Sequence, residues 1–125
     1  MASAGPRVQL TLGRVQLQEQ RIGNQIRRLD SVRASLLAAQ RELEPLERQA
    51  KQLAETIRDF PNSQGRPDAE KELVQIKAEL AKRHAEAQRL IAEESLLAQD
   101  IAAEQNRWSD FNQRLEELER ALGRR

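Results

Sequence analysis

Apolar residues recur at every seventh position along two long stretches of this chain. The first series runs from Val8 to Ile57, and the second runs from Leu73 to Leu122 with one charged member, Glu94. We label these the a positions of a heptad repeat, and a mostly apolar series of d positions lies three residues after them. An average apolar spacing of about 3.5 residues predicts two helices that supercoil left-handedly with their seams facing a partner.

A dense cluster of turn-forming residues at 60–68 separates the two repeats. Pro61 disfavours helical geometry at the residue before it, and Pro67 suits the first turn of a helix. A connection this short cannot carry the chain back along a helix of roughly 75 Å, so helices that pair within one molecule must run antiparallel. The predicted fold is therefore all-α: two long helices forming an antiparallel coiled-coil hairpin.

The predicted organisation is a single hairpin domain over residues 7–122. Its parts are a disordered N-terminal segment at 1–6, helix 1 at about 7–60, a turn at 61–67, helix 2 at about 68–122 and a tail at 123–125. Gly13 and Gly23 weaken the start of helix 1, so we expect fraying up to about Gln25. Pro45 removes an amide from the middle of the same helix, which favours a kink over a stop because the position faces solvent.

Matching a positions to d positions across the turn predicts which seam residues pair. Nearly all layers are then apolar on both sides, and the predicted pairs are Phe60 with Leu73, Ile57 with Ile76, Leu53 with Leu80, Leu43 with Leu90, Leu36 with Leu97 and Val32 with Ile101. Charge favours the same pairing, because residues 7–60 carry a net charge of +3 and residues 68–122 a net charge of −5. An intramolecular hairpin is therefore favoured over a parallel pair of identical helices.

The composition limits both the fold and the function. With 33% charged residues, two Phe and one Trp, the chain of 125 residues cannot furnish a broad globular core. The net charge of +1 gives no global reason to bind nucleic acid or an anionic membrane. Neither a secretory signal nor a long apolar run is present and there is no Cys, so we expect a soluble cytoplasmic protein without disulfides.

No arrangement of residues typical of an enzyme is found in the sequence. His84 is the only His and has no Cys with which to form a tetrahedral metal site. Ser63 lies in the turn, several helical turns before that His, so a nucleophile and base are not brought together. We therefore expect a non-enzymatic protein with no catalytic residue, metal, cofactor or small-molecule substrate.

Large residues near the free end of the predicted hairpin break the repeat. In the predicted register Trp108 and Leu115 face glutamines, Gln25 and Gln18, while Phe111 faces Ile22. An end that is incompletely closed in this way would offer an apolar groove to another helix, so Trp108, Phe111 and Leu115 form a candidate docking surface. The alternative is that the glutamine methylenes simply cover the aromatic rings.

Arginines gather at g positions near the same end. Facing g edges of an antiparallel pair would bring six guanidinium groups to one flank: Arg7, Arg14, Arg21, Arg28, Arg107 and Arg114. Such a flank predicts binding of phosphates or of an acidic protein. The alternative is an ordinary solvated face, neutralised by nearby carboxylates at Glu104, Asp110, Glu116 and Glu117.

Charged residues also occupy three seam positions, Arg83, Glu94 and Glu104, where the predicted register places them opposite Ala50, Ala39 and Leu29. Isolated polar residues in a seam commonly fix the register and the partner. Equally, a long Arg or Glu stem can lie over apolar neighbours while its charge reaches water.

The leading functional hypothesis is a structural or interaction protein: a coiled-coil spacer, scaffold or adaptor that mediates protein–protein contacts. Its predicted partner is another protein or a second copy of the chain, because Leu12, Ile26, Ile91 and Leu96 widen the apolar stripe as in a homodimeric four-helix bundle. The second hypothesis is an anion-binding module for nucleic acid or a membrane surface, and the third is a small helical chaperone. Of these partners nucleic acid is the least expected, because no nucleic-acid motif or interleaved aromatics accompany the arginines.

Overall fold

The fold is all-α, as the sequence predicts. A computed structural model describes the backbone of residues 5–123 and the side chains of residues 9–123. Helix α1 spans Gly5–Asp59, helix α2 spans Arg66–Gly123, and the two helices pack against each other as a helical hairpin. Of the predicted disordered segment at 1–6, residues 1–4 lie outside the described part, whereas Gly5 and Pro6 belong to α1.

Helix α1 is continuous across its weak helix formers. The helix passes through Gly13 and Gly23, where the sequence predicts fraying, and through Pro45. Seam residues such as Val15 and Ile22 are half-buried in this stretch, so packing outweighs the low helix propensity of the glycines. Pro45 is exposed, and its missing amide leaves the Arg41 carbonyl without its usual helical donor.

Four backbone hydrogen bonds shape the connection between the helices. The Phe60 amide donates to the Thr56 carbonyl at 3.0 Å and closes α1, and the Ser63 amide donates to the Phe60 carbonyl at 3.2 Å. The Arg66 amide donates to the Ser63 carbonyl at 3.2 Å, and the Ala69 amide donates to the Gly65 carbonyl at 3.0 Å to open α2. The turn thus starts one residue earlier than predicted, and α2 starts two residues earlier than predicted.

The chain divides into two compact units. Unit 1 contains the described residues 5–31 and 94–123, and unit 2 contains residues 32–93, including the connection. In unit 2 the buried side chains all occupy a or d positions: Val32, Leu36, Leu43, Ala87 and Leu90. The heptad frame therefore identifies the buried face correctly.

The register within unit 2 differs from the predicted one. The Arg83 guanidinium bonds to the Glu42 carboxylate, whereas the predicted register placed Arg83 opposite Ala50, about two helical turns away. Since Glu42 directly precedes the seam residue Leu43, the contact places Leu43 opposite Arg83, one heptad from the predicted pairing. The prediction was wrong by one repeat because most apolar layers still meet an apolar layer after a shift of seven residues.

The residues next to the turn agree with the shifted register. Phe60, predicted to pair with Leu73 in the seam, lies outside α1 and is 63% exposed. Ala69 is half-buried like Ile57, so the seam of α2 begins before Leu73, where the sequence predicted it to start. The predicted pair of Phe60 with Leu73 is therefore wrong.

In unit 1 the two helix segments are also antiparallel. An Arg21 guanidinium nitrogen lies 4.0 Å from a Glu104 carboxylate oxygen. Further along α1, Arg28 lines a groove together with Leu97, which precedes Glu104 on α2. Residue numbers therefore increase along one helix segment in the direction in which they decrease along the other. The buried side chains here are Leu29, Leu97, Ile101 and Glu104, again all at a or d positions.

Candidate interaction surface

Four of the predicted anion-binding arginines lie along one side of unit 1. An open groove of about 280 Å³ is lined by Arg14, Arg21 and Arg107. A second groove of about 460 Å³ is lined by Arg21 and Arg28, with Leu97 and Asp100 on its other side. Leu17 contributes to both grooves. We call Arg14, Arg21, Arg28 and Arg107 the arginine flank.

A buried carboxylate holds two members of the arginine flank. Glu104 is 8% exposed, the one buried charged residue among the described side chains. It accepts a hydrogen bond of 2.9 Å from Arg107, and Arg21 lies 4.0 Å away on the other helix. The flank is thus partly neutralised from within the seam, as the solvated-face alternative predicts. Glu104, a charged residue within the apolar seam, thus contacts one arginine on each helix.

Arg114 lies apart from the other arginines. It lines a groove of about 350 Å³ with Asp110, Gln113 and Glu117, so two carboxylates accompany its single positive charge. Another predicted neutralising residue, Glu116, pairs with Arg120 at 3.6 Å. The side chain of Arg7 lies outside the described side chains. The structure therefore does not add Arg114 to the arginine flank.

The predicted docking residues Trp108, Phe111 and Leu115 are half-buried. The Trp108 indole nitrogen is buried without a hydrogen-bond partner, and so is the Gln25 side-chain oxygen. If the shift of one heptad seen in unit 2 also holds in unit 1, Trp108 lies opposite Gln18, and Gln25 is no longer its partner. These three residues stay a predicted docking surface, but they are mainly part of the seam.

The predicted docking surface does not include several apolar side chains of unit 1 that are more exposed than Trp108, Phe111 and Leu115. Leu118 and Leu122, which follow it on α2, are 57% and 59% exposed. On α1, Leu10 and Leu17 are 58% and 66% exposed and sit between arginines at helical spacing. The signal was present in the sequence, because residues three, four and seven apart share one face of a helix.

A second charged surface, not singled out in the sequence, lies in unit 2. Glutamates occupy successive g positions of α2, and we call them the acidic ladder: Glu72, Glu79, Glu86 and Glu93. Arg83 donates to Glu79 at 3.0 Å, and Arg89 donates to Glu86 at 2.5 Å and to Glu93 at 3.3 Å. The Arg89 hydrogen bond lowers the pKa of the Glu86 carboxyl, so this group stays ionised at neutral pH. Two arginines thus contact three of the four carboxylates.

His84 has the surroundings of a surface residue. Its side chain is 54% exposed, and its Nε2 atom lies 3.4 Å from a Glu47 carboxylate oxygen. Within residues 9–123 no group of three side chains is placed to hold a metal ion. Neither helix, over its described length, has an apolar stretch able to cross a bilayer.

Comparisons with protein-family models, with curated proteins and with solved structures find no match to this chain.

Proposed function

We propose that this chain is a non-enzymatic interaction protein, a helical spacer, scaffold or adaptor that binds other proteins. The observation that carries the proposal is the exposure of large apolar side chains beside a thin seam. Leu17, Leu118 and Leu122 are each more than half exposed, whereas seam residues of the same unit such as Ile22 and Leu115 are half-buried. Surface of this kind is typically covered by another protein.

Affinity capture of the full chain from its native host tests this function. We expect the wild type to recover specific proteins in amounts proportional to the bait. The double variant Leu118→Ser with Leu122→Ser should no longer recover them. A matched control replaces Leu37 and Val74, which are 49% and 67% exposed in unit 2, with Ser. Equal recovery by both variants, or no proportionate partner at all, would contradict the proposal.

Anion binding is the second candidate, and the arginine flank is the observation that favours it. Arg14 and Arg28 are exposed beside open grooves, so a phosphate group could approach them. The expected signature is binding to a short duplex DNA or to phosphatidylserine vesicles that weakens steeply with salt and with Arg14, Arg21 and Arg28 changed to Gln. Binding that is unaffected by these changes would exclude the flank as the site.

A further inference from the structure

Leucines and arginines alternate along one face of α1 in unit 1. Leu10, Arg14, Leu17 and Arg21 are separated by four, three and four residues, so they lie in one row on the helix surface. All four side chains are exposed, and Leu10 and Leu17 are 58% and 66% exposed. We call these four residues the leucine–arginine row.

The groove beside this row has an excess of positive charge. Three guanidinium groups line it, from Arg14, Arg21 and Arg107, together with the single carboxylate of Glu104. That carboxylate is 2.9 Å from Arg107 and 4.0 Å from Arg21. Arg14 forms no ion pair with any side chain of residues 9–123. The groove therefore has an arginine available for a further carboxylate.

Leu17 adds apolar surface to the same groove. It also lines the adjoining groove of unit 1, and it lies three residues after Arg14 and four residues before Arg21. A partner that covers Leu17 must therefore come within reach of both guanidinium groups. The matching surface carries apolar side chains and carboxylates at intervals of three and four residues, which is the pattern of one face of an acidic helix.

We propose that the leucine–arginine row binds an acidic amphipathic helix of another protein, with an apolar side chain on Leu17 and a carboxylate at Arg14. This inference rests on the proposed interaction function and specifies the chemistry of the partner. A helix that binds a membrane surface keeps its apolar face separate from its basic face, whereas here both kinds of side chain share one row. Nucleic acid would pair with the arginines and leave Leu10 and Leu17 exposed to water.

Selection of displayed peptides on the full wild-type chain gives the first test. The library contains random peptides of about 16 residues, or roughly four helical turns, and the selection is made in about 0.1 M NaCl. We expect the enriched sequences to carry Asp or Glu together with Leu-like residues at intervals of three and four. Enrichment of sequences without this pattern, or no enrichment, overturns the proposal.

Affinities of the most enriched peptide, measured by fluorescence anisotropy, give the second test. The double variant Leu17→Ser with Arg14→Gln should bind it about tenfold more weakly or worse, because it loses an apolar contact and a charge pair. The matched control, Leu37→Ser with Arg41→Gln, changes an exposed leucine and an exposed arginine of α1 in unit 2 and should bind like the wild type. Equal affinities of the two variants, with wild-type circular dichroism in both, contradict the assigned site.

A change in the peptide tests the charge without altering the protein. Replacing every Asp and Glu of the peptide with Asn and Gln should weaken binding to the wild type by about tenfold or more. Undiminished binding of this neutral peptide overturns the proposal.

Short duplex DNA and phosphatidylserine vesicles are the competing occupants. If either displaces the peptide and binds Leu17→Ser as tightly as the wild type, the row is an anion site and the proposed acidic helix is wrong. The interaction function fails separately. Capture that depends on Leu118 and Leu122, with no acidic peptide selected, refutes only the leucine–arginine row as a docking site.

Discussion

Replacing Glu104 with Leu should stabilise the protein, although it removes two ion pairs. Glu104 occupies a d position and is 8% exposed, so its carboxylate has lost most of its hydration. A Leu buried there contributes about 1.5–3 kcal/mol relative to an exposed one. The lost partners, Arg21 and Arg107, are 67% and 68% exposed, and pairs with such exposed groups are worth about 0.2–1 kcal/mol each.

The difference between these contributions favours the Leu variant by about 1–2 kcal/mol, or roughly 4–8 °C in Tm at about 4 °C per kcal/mol for a chain of this size. Urea and thermal unfolding followed by circular dichroism measure both quantities. Glu117→Leu, an exposed change on the same helix, is the control and should alter the unfolding free energy by less than about 0.5 kcal/mol. A clear loss of stability in Glu104→Leu would refute the reasoning, because it would show that the ion pairs outweigh burial.

Three further outcomes follow from the described contacts. Arg83→Glu should lower the unfolding free energy by about 0.5–1 kcal/mol, and adding Glu42→Arg should restore part of the loss, whereas no recovery would argue against the shifted register. Pro45→Ala should raise the unfolding free energy in urea by about 1–3 kcal/mol, because it supplies the missing amide; an unchanged midpoint would contradict this. Arg89→Gln should raise the pKa of Glu86 toward its ordinary value in an NMR titration. Because the folded-state pKa is lowered, the Glu86 contribution to stability is present above the ordinary carboxyl pKa and is lost as pH falls through the lowered one, and an unshifted titration would contradict the assigned contact.

The seam could be read directly from the sequence, because burial repeats with the helix. Leu29, Leu36 and Leu43 were all placed at a positions and are all buried. The bounds of the helices were also close, since proline and turn residues mark them. Supercoiling and association of the hairpin with another copy stay predictions.

The register could not be obtained from apolar matching, because a heptad repeat looks the same after a shift of one heptad. What distinguishes the two registers is a small number of polar contacts, above all Arg83 with Glu42. If the charged seam residues are matched with opposite charges on the other helix, the observed register is favoured. The same reasoning would have connected Glu104 with Arg21 in advance.

The candidate surface was predictable only in part. Arg14, Arg21 and Arg28 share one edge because of their spacing, and the structure places them along neighbouring grooves. The sequence does not reveal how far Trp108 sinks into the seam, because that depends on the partner opposite it. The acidic ladder was overlooked because its members are ordinary surface glutamates when each is considered alone.

The thin seam influences how the helices of such a protein can lengthen or shorten in evolution. Among the described side chains none is completely enclosed. In a seam built of stacked heptad layers, each layer contacts mainly the layers directly above and below it. Removing or inserting one repeat in both helices at the same level would therefore leave the remaining layers and the turn intact. The length of the two helices can therefore change in evolution, whereas the turn and the cross-helix polar contacts must be retained together.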